Sequence, residues 1–414
     1  MKIAAYMNSS DGSGARRAFY EFVKGLSRSN HAVDLYHLSG APIEKFPIRD
    51  HVRETYTYDL NRFIPWKIRP YLLSESVSLI RKIFFLGKLK RVSRKMAEDM
   101  NKRGYDIVFA DACTYLRIPY HIRWVNVPSL VYHHRPRRDA FEPLEFVEPG
   151  FAYRGPSAAK KIYKKISGIV FRLNALLFGC IGNINIRHAD LVLTNSHYMR
   201  EFIYKTPGVF SEVVYPGVDC ASFKDLGLKK KNYVLSVGGI EESKCFHDII
   251  TALAFVPENI RPDLMIISSR TRPKVHKELI RLAQEKKVTL SVLEHIYGEE
   301  LVRYYNEAYA VVFVPLMEPL GLVPLESMAC GTPVIGIREG GVRETVIHEK
   351  TGLLVNRGDQ ELAGAIIRLT EDKELYARLS KNCRDYILEN WTWEKSVSRL
   401  EKHFQNLIQR KSRN

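Results

Sequence analysis

The sequence EPLGLVPLESMACGTPVIG (residues 318–336) predicts a short helix followed by a buried strand. Glycine and proline interrupt the apolar run, and the helix is expected over about residues 321–330. The first backbone N–H groups of a helix have no intrahelical partner, so this helix end can hold an anion. Glu318, just before the helix, and Glu326, inside it, can bind neutral hydroxyl groups on either side of that anion.

Strands and helices alternate on both sides of this stretch. The second half contains the strand-like runs NYVLSVGG, LMIISS, VTLSVL, YAVVFVPL and TPVIGI, with helical segments between them. The first half contains KIAAYM, AVDLYHLS, YDIVFAD and SLVYHH in the same kind of alternation. This pattern is typical of doubly wound parallel sheets. We therefore predict an α/β protein with two Rossmann-like domains facing a cleft.

Length and composition agree with two globular domains. The chain has 414 residues, of which 45% are hydrophobic and 26% charged. A single hydrophobic core stops growing at about 250–300 residues. The polar segment KDLGLKKKN precedes the second series of strands, so the boundary between the domains is expected there.

Several functional classes are disfavoured. The six cysteines are scattered without a C-x-x-C pair, which favours reduced thiols in a cytosolic protein over a disulfide framework or a zinc site. The N-terminal strand is too short for a signal peptide, and the apolar stretch at 173–186 is too short and too polar to span a bilayer. DGSGARR (11–17) lacks the third glycine of a dinucleotide fingerprint, which disfavours nicotinamide chemistry. Its Gly14 either lies close to a phosphate or serves a tight turn.

Two further motifs follow predicted strands, at the edge where parallel sheets bind ligands. VYHHRPRR (131–138) places His133 and His134 at a strand end, where adjacent side chains point to opposite faces. SVGGIEESKCFHD (236–248) places Lys244 where a loop enters a helix, a position suited to a diphosphate. Each motif also has a structural interpretation, as a buried histidine or an exposed surface lysine.

Together these motifs resemble the retaining family-4 (group 1) glycosyltransferases, which have the GT-B fold. The resemblance covers nearly the whole chain. It rests on YPGVD (215–219), SVGG…K (236–244), E-P-L-G-L…E (318–326), ACGTPVIG and GGVRETVIHEKTGLLV (340–355). The segment YHHRP also resembles the histidine segment of the mannosyltransferases of lipid-linked oligosaccharide assembly.

The resemblance implies a role for each matching residue. Glu318 and His134 would contact the donor sugar, and Lys244 would add charge beside the donor diphosphate. The implied donor-binding positions are Gly14 on the acceptor-side loop, the N–H groups of Gly321, Leu322 and Val323 on the diphosphate, and Glu326 on the ribose hydroxyls. Stabilisation of the departing diphosphate is then the main catalytic contribution, so no metal or other cofactor is expected.

The implied activity is the transfer of a hexose, of mannose or glucose type, from a nucleotide diphosphate sugar to a glycan or lipid-linked acceptor, with retention. Two alternatives stay open: a relative that hydrolyses or epimerises the donor, and a non-catalytic basic protein that binds membrane or nucleic acid. In the family the last helix returns to the first domain. We therefore expect an acceptor-side domain at 1–222, completed by 388–414, and a nucleotide-sugar domain at 223–387.

The chain departs from the family pattern at three places. Gly239 stands where an arginine is common, and SSRTRP (268–273) replaces a Gly-Asp-Gly-Pro turn. GSGARR stands where a Gly-Gly-Ala-Glu type of loop is common.

Positive charge is concentrated in the first half. The net charge is +17, and residues 1–215 contribute an excess of 15 positive charges. The segments at 81–95 and 157–179 combine basic and apolar residues, as expected either for core helices with solvated lysines or for contact with an anionic membrane. Nucleic acid also fits the charge, but no recognisable module accompanies it. We therefore expect a protein peripheral to the cytosolic membrane face, with no nucleic-acid partner.

Overall fold

The computed structural model describes residues 1–8, 14–40, 46–60, 71–113, 115–134 and 176–413, without the side chains of 71–82 and 112. Contacts divide the chain into two compact units. The first unit comprises Met1–Asn195, Met199–Val214 and Val397–Asn414, and the second comprises Ser196–Tyr198 and Tyr215–Ser396. Each unit is described by itself.

The strands and helices alternate along the described chain. The strands are β1 (Lys2–Asn8), β2 (Ala32–Leu38), β3 (Glu54–Tyr58), β4 (Ile107–Cys113), β5 (Ser129–Tyr132), β6 (Leu191–Thr194), β7 (Glu212–Val213), β8 (Lys231–Val237), β9 (Asp263–Ser268), β10 (Leu290–Glu294), β11 (Ala308–Phe313), β12 (Val334–Ile337) and β13 (Gly352–Val355). The helices are α1 (Gly14–Arg28), α2 (Tyr71–Lys102), α3 (His197–Lys205), α4 (Phe246–Ala254), α5 (Pro273–Glu285), α6 (Gly298–Glu307), α7 (Leu322–Ala329), α8 (Val342–Thr345), α9 (Asp359–Glu371), α10 (Lys373–Asn390) and α11 (Trp393–Ser412). Residues 176–186 are also helical.

The first unit is built on a seven-stranded sheet in the order β3-β2-β1-β4-β5-β6-β7. All six pairings between neighbouring strands are parallel. The inner strands are buried along almost their whole length, as expected for a parallel sheet covered by helices on both faces. Phe109 of β4 packs against Phe19 of α1 and Phe404 of α11, with ring centroids 5.1 and 5.6 Å apart.

The second unit contains a six-stranded sheet in the order β10-β9-β8-β11-β12-β13, and its pairings are also all parallel. Apolar side chains from β8, β9, β11 and β12 form one core with those of α4, α5, α9 and α10. A second cluster on this unit includes Leu325 and Met328 of α7 together with Tyr305 of α6. These cores hold the central strands in place, and the loops of the candidate site follow the ends of those strands.

The structure confirms the predicted α/β fold with two parallel sheets. The helix expected near residues 321–330 is α7, Leu322–Ala329. Strand β5 ends at Tyr132, so His133 and His134 follow the strand instead of lying within it. The domain limits expected from the sequence (1–222 with 388–414, and 223–387) stay predictions, because a division by contacts does not test independent folding. Most of the lysine-rich segment 157–179 lies outside the described residues.

No helix in the described part of the chain is both long enough and apolar enough to cross a membrane.

Candidate active site

In the second unit, Lys244 and Glu318 form an ion pair at the carboxyl ends of the strands. Lys244 closes the short helical turn Glu242–Lys244 that follows β8, and Glu318 follows β11. The distance from Lys244 Nζ to Glu318 Oε2 is 2.9 Å, and the two side chains are 22% and 23% exposed. An ammonium group has three donors, so Lys244 can hold Glu318 and a bound anion at the same time.

Backbone geometry fixes the two loops that carry this pair. The N–H of Leu316 donates to the carbonyl of Ser243 at 2.9 Å, which ties one loop to the other. Cys245, directly after Lys244, and Met317, directly before Glu318, have φ values of 52° and 47°. Non-glycine residues rarely adopt this left-handed conformation, and such strain is often found at functional sites.

Arg357 braces the segment that leads to Glu318. Its guanidinium group donates to the carbonyl of Val314 at 3.2 Å, and it pairs with Asp248 at 2.7 Å and with Glu339 at 2.9 Å. Burial lowers the pKa of Arg357, but the contacts with Glu339 and Asp248 outweigh burial and raise that pKa overall. Arg357 therefore stays charged while it joins the segment after β11, the first turn of α4 and the segment after β12.

The amino end of α7 has backbone N–H groups that can bind an anion. Gly321 precedes the helix with φ 93°, a conformation that favours glycine. Leu322 and Val323 occupy the first turn, where N–H groups have no acceptor within the helix, and Pro324 has no N–H at all. The segment before the helix packs on Gly341, whose N–H donates to the carbonyl of Glu318 at 2.9 Å. A Cβ at Gly341 would lie 2.2 Å from the carbonyl oxygen of Pro319, so only glycine allows this approach.

Glu326 lies on the same helix and is 7% exposed. Its Oε2 accepts a hydrogen bond of 2.9 Å from the hydroxyl of Tyr305, a fully buried residue of α6. This bond fixes the orientation of the carboxylate. The sequence carried no signal for Tyr305, because the contact depends on how α6 packs against α7.

In the first unit, His134 is held beside an aspartate. Its Nε2 lies 3.1 Å from Asp111 Oδ1, and the two side chains are 7% and 1% exposed. Asp111 is the last residue of the strand-like run YDIVFAD, so the strand-end rule that singled out His134 could have found it too. Burial, with smaller effects from Arg117 and His134, lowers the pKa of the neighbouring His133 to about 3, so His133 is neutral near pH 7.

The structure thus groups the predicted residues by unit. Lys244, Glu318, the first turn of α7 and Glu326 belong to the second unit, and His134 belongs to the first. Gly14 is the exposed first residue of α1, also in the first unit. Within the described residues, no group of three or more His, Cys, Asp or Glu side chains is placed to hold a metal ion.

Models of two protein families match successive parts of the chain. The model described as "Glycosyltransferase Family 4" matches residues 12–222, about half of the chain. The model described as "Glycosyl transferases group 1" matches residues 220–386, which include Lys244, Glu318 and α7.

Curated relatives agree with these models. A D-inositol 3-phosphate glycosyltransferase of Salinispora arenicola is 32% identical over 218 residues, 46% of this chain and 48% of that protein. An N-acetyl-alpha-D-glucosaminyl L-malate synthase of Bacillus anthracis is 26% identical over 54% of this chain and 61% of that protein. The match thus spans less than two thirds of the length of each of these relatives.

Solved structures share the fold over nearly the full length. A sucrose-phosphate synthase of Thermosynechococcus elongatus has a TM-score of 0.70 and 20% identity, covering 98% of this chain and 99% of its own. Anabaena HepE, in complex with UDP and glucose, has a TM-score of 0.69 and 17% identity with the same coverage. At these identities the similarity shows the two-domain GT-B architecture.

Proposed function

Because the chain belongs to the group 1 and family 4 glycosyltransferases, which have the GT-B fold, we propose that it transfers a hexosyl group from a nucleotide diphosphate sugar to a glycan or lipid-linked acceptor. The transfer proceeds with retention of the anomeric configuration. The observation that carries this proposal is the Lys244–Glu318 ion pair in front of α7, with Glu326 held by Tyr305 on the same helix.

The donor diphosphate binds at the amino end of α7. The N–H groups of Gly321, Leu322 and Val323 donate to its oxygens, and the partial positive charge of the helix end attracts it. Lys244 adds a full charge, and Glu318 accepts hydrogen bonds from the sugar hydroxyls. Glu326, oriented by Tyr305, accepts hydrogen bonds from the ribose hydroxyls of the nucleotide.

Catalysis follows from charge that develops on the leaving group. The acceptor hydroxyl oxygen forms a bond to the anomeric carbon as the bond from that carbon to the diphosphate oxygen breaks. The acceptor proton passes to the departing diphosphate, on the face from which the diphosphate leaves. Donors aimed in advance at this developing negative charge lower the barrier, because they need no reorganisation during the reaction. No metal ion is required, since Lys244 and the helix end supply the positive charge.

We also propose that His134 contacts the donor sugar and that Gly14 lets its loop approach the phosphates. Asp111 lies beside His134, with its Oδ1 3.1 Å from Nε2, so a carboxylate accompanies the histidine at the sugar. The donor sugar is of mannose or glucose type. Binding of UDP and UDP-glucose by Anabaena HepE supports a nucleotide-sugar donor.

The acceptor is brought to the enzyme at an anionic membrane surface. Support comes from α2, whose exposed face includes Ile83 and Phe84, 55% and 69% exposed. The same face continues with the exposed residues Lys90, Arg91, Arg94 and Lys95. Apolar side chains beside a basic face are typical of helices that lie on anionic bilayers.

A panel of nucleotides tests the donor assignment. We expect one of UDP, GDP or ADP to raise the melting temperature of the protein, because a ligand that binds only the folded state stabilises it by mass action. The corresponding nucleoside is expected to do so far less, and EDTA is expected to leave the shift unchanged. If none of the three diphosphates stabilises the protein, the proposed function is wrong. Release of free sugar at the same rate with and without acceptor would instead identify a donor hydrolase.

A further inference from the structure

Two cationic side chains flank the glycine pair that follows β8. Lys244 lies over Gly238, because its Cδ would be 3.5 Å from a Cβ at that glycine. Arg270 lies over Gly239, because its carbonyl oxygen would be 3.4 Å from a Cβ there and its own Cβ and Nε would each be 3.9 Å away. Gly239 and the segment SSRTRP, which were singled out separately in the sequence, are therefore neighbours in the fold.

The backbone holds Arg270 in this place. Ile240 N–H donates to the carbonyl of Arg270 at 2.8 Å, and Arg272 N–H donates to the carbonyl of Ile240 at 3.0 Å. The hydroxyl of Ser268 donates to the same carbonyl of Arg270 at 2.8 Å. The loop after β9 is thus hydrogen-bonded to the loop that carries Lys244, and Arg270 cannot drift away from the glycine pair without breaking these bonds.

The guanidinium group of Arg270 is available to a ligand. Its Nη2 pairs with Glu241 Oε2 at 2.6 Å, and its side chain is 69% exposed. Glu241 is itself fixed, since it accepts a hydrogen bond of 3.1 Å from the Ser243 hydroxyl. A guanidinium group has five N–H donors in a planar fork, so one contact with Glu241 leaves others that can bind phosphate oxygens.

We propose that Arg270 is a second cation for the diphosphate of the donor, acting beside Lys244 across Gly238 and Gly239. This inference rests on the proposed function and adds a binding residue to it. Neither glycine carries a side chain, and Lys244 packs against the first while Arg270 packs against the second. Arginine binds two phosphate oxygens at once with well-directed hydrogen bonds.

Arg272 provides a matched control. It lies two residues further along the same loop, and it pairs with Glu242, the residue after Glu241, at 2.8 Å. Its side chain is also substantially exposed, at 47%. Exposed ion pairs of this kind contribute little by themselves, so the two arginines differ mainly in that only Arg270 lies over a glycine of the pair.

The test measures the affinities of UDP, GDP and ADP, and of their nucleosides, by isothermal titration calorimetry. For the diphosphate that the wild type binds, Arg270→Ala is expected to raise Kd about tenfold, equivalent to ~1.4 kcal/mol. The nucleoside affinity is expected to stay the same, and Arg270→Lys is expected to recover part of the loss. Arg272→Ala is expected to bind the diphosphate as the wild type does.

Three results would overturn the inference. An unchanged diphosphate affinity in Arg270→Ala would show that Arg270 only forms a surface ion pair. An equal loss for the diphosphate and the nucleoside would place Arg270 on the base or ribose instead of the phosphates. A wild type that binds none of the three diphosphates would refute the proposed function itself, and the inference would fall with it.

Discussion

Removing the charge of Lys244 should separate the catalytic contribution of the Lys244–Glu318 pair from its structural one. Lys244→Met keeps the length and apolar character of the side chain but removes the ammonium group. In the free protein this change breaks one ion pair with a length of 2.9 Å, in which each side chain is about one fifth exposed. Such a pair contributes at most ~1 kcal/mol to stability when water reaches it. We therefore expect the melting temperature to change by only a few degrees.

The effect on transfer should be much larger. Negative charge grows on the diphosphate as the bond to the sugar breaks, and the loss of one preorganised donor to such charge costs about 2.7–4 kcal/mol. The expected reduction in kcat is then about 100- to 1,000-fold. Glu318→Gln keeps the size of the side chain but weakens its hydrogen bonds with the sugar hydroxyls. It should therefore lower the rate of transfer and leave binding of the free diphosphate unchanged.

Lys231→Met is the control for this experiment. Lys231 opens β8, at the opposite end of the strand from Lys244, and pairs with Glu307 at 2.7 Å. A steady-state assay of sugar transfer, with stability measured in parallel, should show full activity in Lys231→Met and a strong loss in Lys244→Met. Near-wild-type turnover in Lys244→Met, with a donor and acceptor known to react, would refute the assignment of the site.

Three further predictions concern stability, backbone packing and membrane contact. Burial lowers the pKa of His121 to about 3 in the folded protein, whereas its pKa in the unfolded chain is about 6.5. Between these two values only the unfolded state binds the proton. The free energy of unfolding therefore falls as the pH decreases, by ~2 kcal/mol at about pH 5. Denaturation measurements should show that His121→Phe loses less stability than the wild type between about pH 7.5 and about pH 5. An identical loss of stability in the two proteins would contradict this role of His121. Gly341→Ala should weaken diphosphate binding at least about tenfold, because the new Cβ would meet the carbonyl oxygen of Pro319 at 2.2 Å. The control is Gly364→Ala on α9, where the new Cβ would lie in open space. This variant should bind the diphosphate normally and gain about 0.5–1 kcal/mol of stability. The protein should sediment with anionic vesicles and not with neutral ones, less so at high salt. Charge reversal on α2 should abolish this sedimentation, and charge reversal on α5 should not. Equal behaviour of the two variants would exclude α2 as the contact. The changes to Glu are at Lys90, Arg91 and Lys95 on α2, and at Lys274, Lys277 and Arg281 on α5.

The helices and strands of the fold could be predicted because the hydrophobic pattern of each one depends only on residues close together in the sequence. The alternation of apolar strand runs with amphipathic helices places β8 to β12 and the helices between them close to their observed limits. The helix expected at about 321–330 is observed at Leu322–Ala329. The two-residue edge strand β7 carries too few residues to show any period, and it was not predicted.

The site was only partly accessible from the sequence. Strand ends indicated Lys244 and the histidine pair, because parallel strands bring their carboxyl ends to one edge. The contact of Lys244 with Glu318 joins residues 74 positions apart, and only the family resemblance linked them. The hydrogen bond from Tyr305 to Glu326 and the placement of Arg270 over Gly239 depend on packing and on a turn conformation. No periodic pattern encodes either of them.

The most direct test of the account is the anomeric configuration of the product. The purified protein is incubated with an acceptor and with mannose or glucose linked to the nucleotide identified in the panel, and the new glycosidic linkage is analysed by NMR. We predict that sugar is transferred and that an α-linked donor gives an α-linked product. A β-linked product, or free sugar with no transfer to any glycan or lipid-linked acceptor, would contradict the proposal that this site performs retaining glycosyl transfer.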